Sequence, residues 1–221
     1  MSSIATLSKP NHLDRPQGVK PGNGHQAGQR PPYVVWRMGV ERYHQMIEAG
    51  ILTNDDPVEL LEGWLIQKIP KGPHHTSAIF SLRKTFEALF TEEWYIDSQD
   101  AITLIESEPE PDLYIARGNA KRYRNRHPYA DDLVLIVEVA EATLSRDRNL
   151  KKRIYAQAGI PTYWIVNLVD KQIEVYSEPT TKTKNPTYSQ RRDYGFTQKV
   201  PLLIAGEVIG EISVADVIVV E

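Results

Sequence analysis

Two acidic residues stand where an acid needs a reason. In "EPEPDLYIAR" (residues 108–117) Asp112 follows Pro111 and opens a strand-like run, and in "LVLIVEVAEA" (residues 133–142) Glu138 interrupts an otherwise apolar stretch. Period-two alternation puts Val134, Ile136, Glu138 and Ala140 on one strand face and Leu135, Val137 and Val139 on the other. An isolated ionised carboxylate there is costly, so Glu138 must be paired, protonated or bound to a metal. Asp112 reads either as a turn residue beside the fixed φ of Pro111 or as the partner of Glu138 on an adjacent strand. Two such acids supply the hard oxygen ligands that Mg²⁺ prefers.

A helical pattern over about Ser145–Ala158 brings a third group. Leu150, Ile154, Tyr155 and Ala158 form its apolar stripe; Lys151 falls inside the stripe, and Lys152 points about 100° away. An ammonium on a core face wants an anionic neighbour or a phosphate, unless it snorkels to the rim. Asp147 faces inward too, or caps the helix start. A second helical pattern, from about His75 to Phe90, aligns Ile79, Leu82, Phe86 and Leu89. His75 lies on that line and His74 off it, so His75 reads as a contact for a phosphate or water, or as a hydrogen-bonded structural histidine. Glu59, between Val58 and Leu60, is a third acid or a solvent-facing strand residue.

These groups need elements to hold them. A short helix is expected over Val40–Ala49 with Gly50 as its stop. "PVELLEGWLIQKIP" reads as two strands turning at Glu62-Gly63. Strands follow near 94–98, 101–105, 111–116 and 133–140. "TYWIVNL" and "QIEVYSE" pair across Val169-Asp170-Lys171, and Tyr188, Phe196, Val208, Ile209 and Val217–Val220 suggest further strands and edge structure. A near-continuous apolar strand such as 133–139 belongs inside a sheet covered on both faces, so the expected architecture is α/β or α+β, one sheet flanked by helices.

Composition narrows the chemistry. The chain of 221 residues has no cysteine, which excludes disulfides, thiolate zinc sites and a cysteine nucleophile. The six histidines lack zinc-ligand spacing apart from the adjacent pair His74-His75. No dinucleotide fingerprint, P-loop or nucleophile elbow is in place. No apolar run is long enough to span a bilayer, and residues 1–32, rich in Pro, Gly, Asn and Gln, read as a disordered leader without a signal-peptide core. The expectation is a cytoplasmic protein with one domain over residues 33–221. The formal charge of −3 is no nucleic-acid signal, but "RGNAKRYRNRH" clusters Lys121, Arg122, Arg124 and Arg126 around Tyr123. That loop either meets phosphates or is simply solvated.

Pro111-Asp112 followed by Glu138-Val139-Ala140 resembles the P-D…(D/E)-x-K signature of the restriction-endonuclease-like nuclease superfamily. The stretches "PVELLEGWLIQKIPKGPHH", "EPEPDLYIAR", "LIVEVAEATLSRDRNLKKRIYAQAGIPTYWIVNL" and "IEVYSEP" are similar, in this order, to its "Uma-two" group. The resemblance covers residues 38–220 and implies a mixed central sheet flanked by helices, with an N-terminal hairpin extension. It implies Mg²⁺, with Mn²⁺ as a substitute, held by Asp112, Glu138 and the backbone carbonyl of Val139. Where the superfamily carries its lysine this chain has Ala140, and Lys151 matches the lysine relocated to the following helix. Glu59 and His75 match further motif positions, with Glu62 and Gln99 as weaker candidates. The implied activity is metal-dependent hydrolysis of DNA phosphodiester bonds, often by a homodimer. The alternatives are a binding module that keeps the fold without cutting, and a hydrolase of another phosphate ester.

Overall fold

The computed structural model describes residues 35–53 and 55–219, so the expected leader lies outside the described residues. Within the unit Arg37–Glu221 the chain runs α1 (Val40–Glu48), β1 (Val58–Leu61), β2 (Trp64–Gln67), α2 (Pro73–Leu89), β3 (Trp94–Asp97), β4 (Leu113–Arg117) and β5 (Leu133–Ala140). Then come α3 (Leu144–Arg146), a π-helical turn (Asp147–Lys151), α4 (Lys152–Gln157), β6 (Thr162–Asn167), β7 (Gln172–Thr180), β8 (Thr187–Gly195), β9 (Lys199–Ile204), β10 (Glu207–Ser213) and α5 (Val214–Val217). Among the described residues no helix is long and apolar enough to cross a membrane.

Six strands form one mixed sheet in the order β3-β4-β5-β6-β7-β8. Every neighbouring pair is antiparallel except β5 and β6. A parallel pair needs a crossover, and α3, the π turn and α4 supply it. All eight residues of β5 are buried, as a central strand covered on both faces requires. Ala78, Ile79, Leu82 and Phe86 of α2 pack one face, joined by Val200, Leu202 and Ile212 of the β9–β10 hairpin and Val214 and Val217 of α5. Ile154, Tyr155 and Ala156 of α4 cover the other face with Ile102, Leu104, Tyr163 and Tyr188.

The β1–β2 hairpin turns where expected. Glu62 and Gly63 both have positive φ, 48° and 79°, the pair a type I′ turn requires. Backbone bonds from Gly63 N–H to Glu106 O (3.0 Å) and from Glu108 N–H to Leu60 O (2.7 Å) dock the hairpin on the loop before β4.

Four expectations need correction. Residues 101–105 are not a strand: Ile102 and Leu104 are buried, but Thr103 makes only an isolated bridge to Tyr129. The neighbouring run Glu108-Pro109-Glu110-Pro111 has two prolines that cannot donate to a ladder. Val217 ends α5 rather than a strand, Ile218 and Val219 are irregular, and Val220 lies outside the described residues. The helix read over Ser145–Ala158 is interrupted by the π turn. Finally, Ala116 pairs with Leu133 and Ile115 with Leu135, so Val134 is an extra, bulged residue. It joins Leu135 and Val137 in the cluster under α2 instead of sharing a face with Ile136.

At Gly63 an added Cβ would stand 2.7 Å from Arg37 Cβ, at a φ that disfavours any L side chain. Gly63→Ala is expected to destabilise the protein by about 1–2 kcal/mol in urea denaturation.

Candidate active site

Strands β4 and β5 pair up to Leu113–Val137 and no further. Beyond that point Asp112 takes over with its side chain: Oδ2 accepts the Val139 N–H at 2.8 Å. The same oxygen lies 2.9 Å from His75 Nε2 on α2, and Oδ1 lies 2.9 Å from Lys71 Nζ. One carboxylate thus joins β5, the first turn of α2 and the loop before it. Burial by itself would raise Asp112, but His75 and Lys71 outweigh it and hold the carboxyl at about 2.

On the α4 side of β5, Glu138 Oε1 accepts hydrogen bonds from Lys151 Nζ (2.9 Å) and Tyr155 OH (2.6 Å). Lys151 Nζ also lies 3.3 Å from Glu59 Oε2, which accepts the Glu110 N–H at 3.2 Å. Glu59, Glu138, Asp147 and Lys151 are all buried, so Glu59 is not the solvent-facing residue its strand position allowed. The π turn widens the helix by about one residue and sets Asp147 and Lys151 both inward, while Lys152 leaves toward the Tyr176 ring.

Three acids around one ammonium leave excess negative charge. Burial would lower Lys151, but Glu138, Glu59 and Asp147 more than offset it and keep the ammonium protonated. Burial pushes Glu138 up to about 8, against the pull of Lys151 and with repulsion from Asp112, Asp147 and Glu59. Burial raises Asp147 as well.

These groups line one cleft of about 90 Å³. Its walls carry the carboxylates of Glu59, Glu110, Asp112, Glu138, Glu141 and Asp147 against the cations Lys68, Lys71, Arg146 and Lys151. Among the described residues no three His, Asp or Glu side chains form a ready-made metal cluster. A cation in this cleft would rely on a pair of carboxylates, for which Asp112 and Glu138 are the candidates. The donor set would fit a hard divalent ion: Asp112 and Glu138 both line the cleft, and among the described residues the hydrogen bonds to Glu138 fall on Oε1, leaving Oε2.

The sequence-read residues Asp112, Glu138, Val139, Lys151, Glu59 and His75 thus come together. What the structure shows of Val139 is its N–H bond to Asp112. Glu62 and Gln99 stand apart, Glu62 in a double hydrogen bond with Arg153 and Gln99 on a separate depression. Lys121, Arg122, Arg124 and Arg126 lie beyond the far end of β4, and Arg122 and Arg126 are held by the buried Asp132 at 2.6 and 2.7 Å. Lys71, Arg146 and the Tyr155 hydroxyl belong to the cleft or its acids and were not singled out as site groups from sequence. Lys71 stands in the quoted "PKGPHH", and Arg146 lies one π turn before Lys151. Arg146 has a buried Nε without a hydrogen-bond partner among the described residues, and its Nη2 is 4.0 Å from Glu59 Oε1.

The chain is thus a mixed six-stranded sheet flanked by helices, with two buried acids, Asp112 just before β4 and Glu138 within β5, on one cleft. The chain matches the Uma2 family, described as "Putative restriction endonuclease", over residues 40–204, and it belongs to that family. Among solved structures it is similar to a "putative nuclease belonging to DUF820" from Anabaena variabilis. That similarity has a TM-score of 0.56 at 14% identity and covers 78% of this chain and 96% of the other. At that identity the similarity bears on the fold alone. No curated protein matches the chain.

Because the Glu138 carboxyl is higher in the folded protein than in the unfolded chain, its contribution to stability is complete below about pH 4.5 and is lost as pH rises through about 8. Asp147 adds the same sign. The metal-free protein is therefore expected to show a falling thermal midpoint between about pH 5 and 8, and Glu138→Gln should flatten that slope.

Proposed function

We propose that this protein is a metal-dependent endonuclease that hydrolyses DNA phosphodiester bonds, with Mg²⁺ or Mn²⁺ held between Asp112 and Glu138. The observation that carries the reading is the convergence of these two acids and the buried Lys151 ammonium on one cleft. Membership of a family of restriction-endonuclease type supports the substrate class. Bound there, a divalent cation supplies positive charge at the scissile phosphate and acidifies a nucleophilic water.

The chain's own groups do the rest. Asp112 is kept ionised by His75 and Lys71, so it remains an anionic ligand at neutral pH. Acids on several sides hold Lys151 above the ordinary lysine range, which favours its protonated form. Its role is to orient the water by hydrogen bonding and to stabilise the charge that builds on the phosphate oxygens in the transition state. Glu59 and Tyr155 hold that arrangement, Glu59 through the ammonium and Tyr155 through Glu138. Arg146 lines the same cleft, and its guanidinium can donate to a non-bridging phosphate oxygen.

The basic loop starts at the opposite end of β4 from Asp112, roughly 15 Å along the strand. Phosphates met there lie on the order of four base pairs from the scissile bond. Lys121 and Arg124 are exposed and make no ion pair to a described residue, whereas Arg122 and Arg126 neutralise Asp132. The first two are the contacts of choice for the duplex. Cuts in both strands call for a second copy of the chain.

Supercoiled plasmid incubated with purified protein and Mg²⁺ or Mn²⁺ should be nicked or linearised, and EDTA should stop it. Asp112→Ala, Glu138→Ala and Lys151→Ala should each slow cleavage by about 10²–10³-fold or more. Absence of cleavage with metal bound would leave a nuclease fold that binds without cutting.

In duplex-binding titrations, Lys121→Ala and Arg124→Ala should each reduce the salt slope by about one. Arg126→Ala should instead lower stability, because it uncovers the buried Asp132 carboxylate.

A further inference from the structure

We propose that Lys71 is a built-in competitor for the cation site: its ammonium occupies Asp112 Oδ1 in the metal-free protein and must leave when a divalent cation binds, which frees it to face the substrate phosphate. The inference rests on the reading of Asp112 and Glu138 as cation ligands.

Asp112 has one oxygen to spare. Oδ2 is tied to Val139 N–H at 2.8 Å and His75 Nε2 at 2.9 Å. Both donors belong to packed elements, the central strand and the buried side of α2. A cation reaching Asp112 must therefore use Oδ1, and among the described residues the group at Oδ1 is Lys71 Nζ, at 2.9 Å.

The two ammoniums at the acids differ in how firmly they are held. The Lys151 side chain is 4% exposed and touches both Glu138 and Glu59. That of Lys71 is 33% exposed, with Asp112 as its ionic partner. It stands on the connection between β2 and α2, beside Gly72, around which there is open space. A four-carbon stem on such a loop can swing away without disturbing the core. The exchange also makes electrostatic sense. Asp112 and Glu138 line the same cleft, and a lysine ammonium lies 2.9 Å from each. When the cation takes over at Asp112, the Lys71 charge is released at the cleft wall, where a phosphate anion would find it. Lys68, three residues earlier, lines the same cleft but pairs with Glu110, so it provides an internal control.

Isothermal titration of Mn²⁺ into the full-length protein tests this without requiring activity. Lys71→Met should bind Mn²⁺ about threefold to tenfold more tightly than the unchanged protein, the range of a half-buried ion pair removed from competition. The gain should vanish when Asp112→Asn is also present, and Lys68→Met, whose charge is taken up by Glu110, should give a smaller gain than Lys71→Met. Affinity for a DNA duplex, measured with Ca²⁺ in place of Mn²⁺, should fall for Lys71→Met. Should that variant not fold by circular dichroism, Lys71→Gln carries the same comparison. Equal or weaker Mn²⁺ binding by the folded variant overturns the proposal, as a merely structural lysine predicts. Metal-dependent plasmid cleavage with unchanged Mn²⁺ affinity removes the competitor role and leaves the nuclease reading standing. A shifted Mn²⁺ affinity with no cleavage does the reverse, and no Mn²⁺ binding by either protein removes both.

Discussion

Burying a carboxylate inside a central strand is the constraint from which much of this structure follows. Glu138 lies among the eight buried residues of β5, where water cannot solvate it and only a partner can. The partner is Lys151, and bringing it back over the strand requires a crossover helix whose inward face carries charge. That crossover also makes β5 and β6 parallel. The lysine in turn needs more than one acid, because its own burial is costly. Glu59 reaches it from the β1–β2 hairpin and Asp147 from the same π turn. Hairpin, strand and helix are thus tied to one another through a single buried charge cluster.

Asp112 extends the cluster to the other side of the sheet. Where β4 stops pairing with β5, its carboxylate completes the ladder by taking the Val139 N–H. The same side chain anchors α2 through His75. A group with this many structural bonds has little freedom, and that rigidity is what a ligand for a divalent cation needs. Burial raises both Glu138 and Asp147 above the ordinary carboxylate range, a strain of the sort that functional sites keep and packed cores elsewhere avoid.

The rest of the molecule supports this arrangement at a distance. The β9–β10 hairpin and α5 cover the α2 side of the sheet, and the rings of Tyr155, Tyr163, Tyr176 and Tyr188 pack together on the other. Asp132 spends its charge on the arginines of the basic loop, so a sequence cluster of cations contributes fewer free charges than its length suggests.

Much of this is legible in the sequence. Alternation and apolar runs located β5, β6 and β7, because a strand's two-residue period is local. Helical spacing placed His75 and Lys151 on inward faces and His74 and Lys152 outside, since a difference of one residue turns the side chain through a fixed angle. What the sequence could not determine was anything set by contact between distant segments. The bulge at Val134 arises from pairing with β4. Residues 101–105 form no strand beside a run that holds two prolines, and a π turn interrupts the helix that carries Lys151 over Glu138. Glu59 alternates as a surface residue would, yet is buried because the hairpin docks on residues 106–110. Lys71 and Arg146 look like ordinary loop and helix cations until the fold brings them to Asp112 and Glu59. Sequence alone thus determined which side chains face inward within each element. The tertiary structure decided which of them meet, because charge pairing across the sheet depends on distances that no single segment encodes.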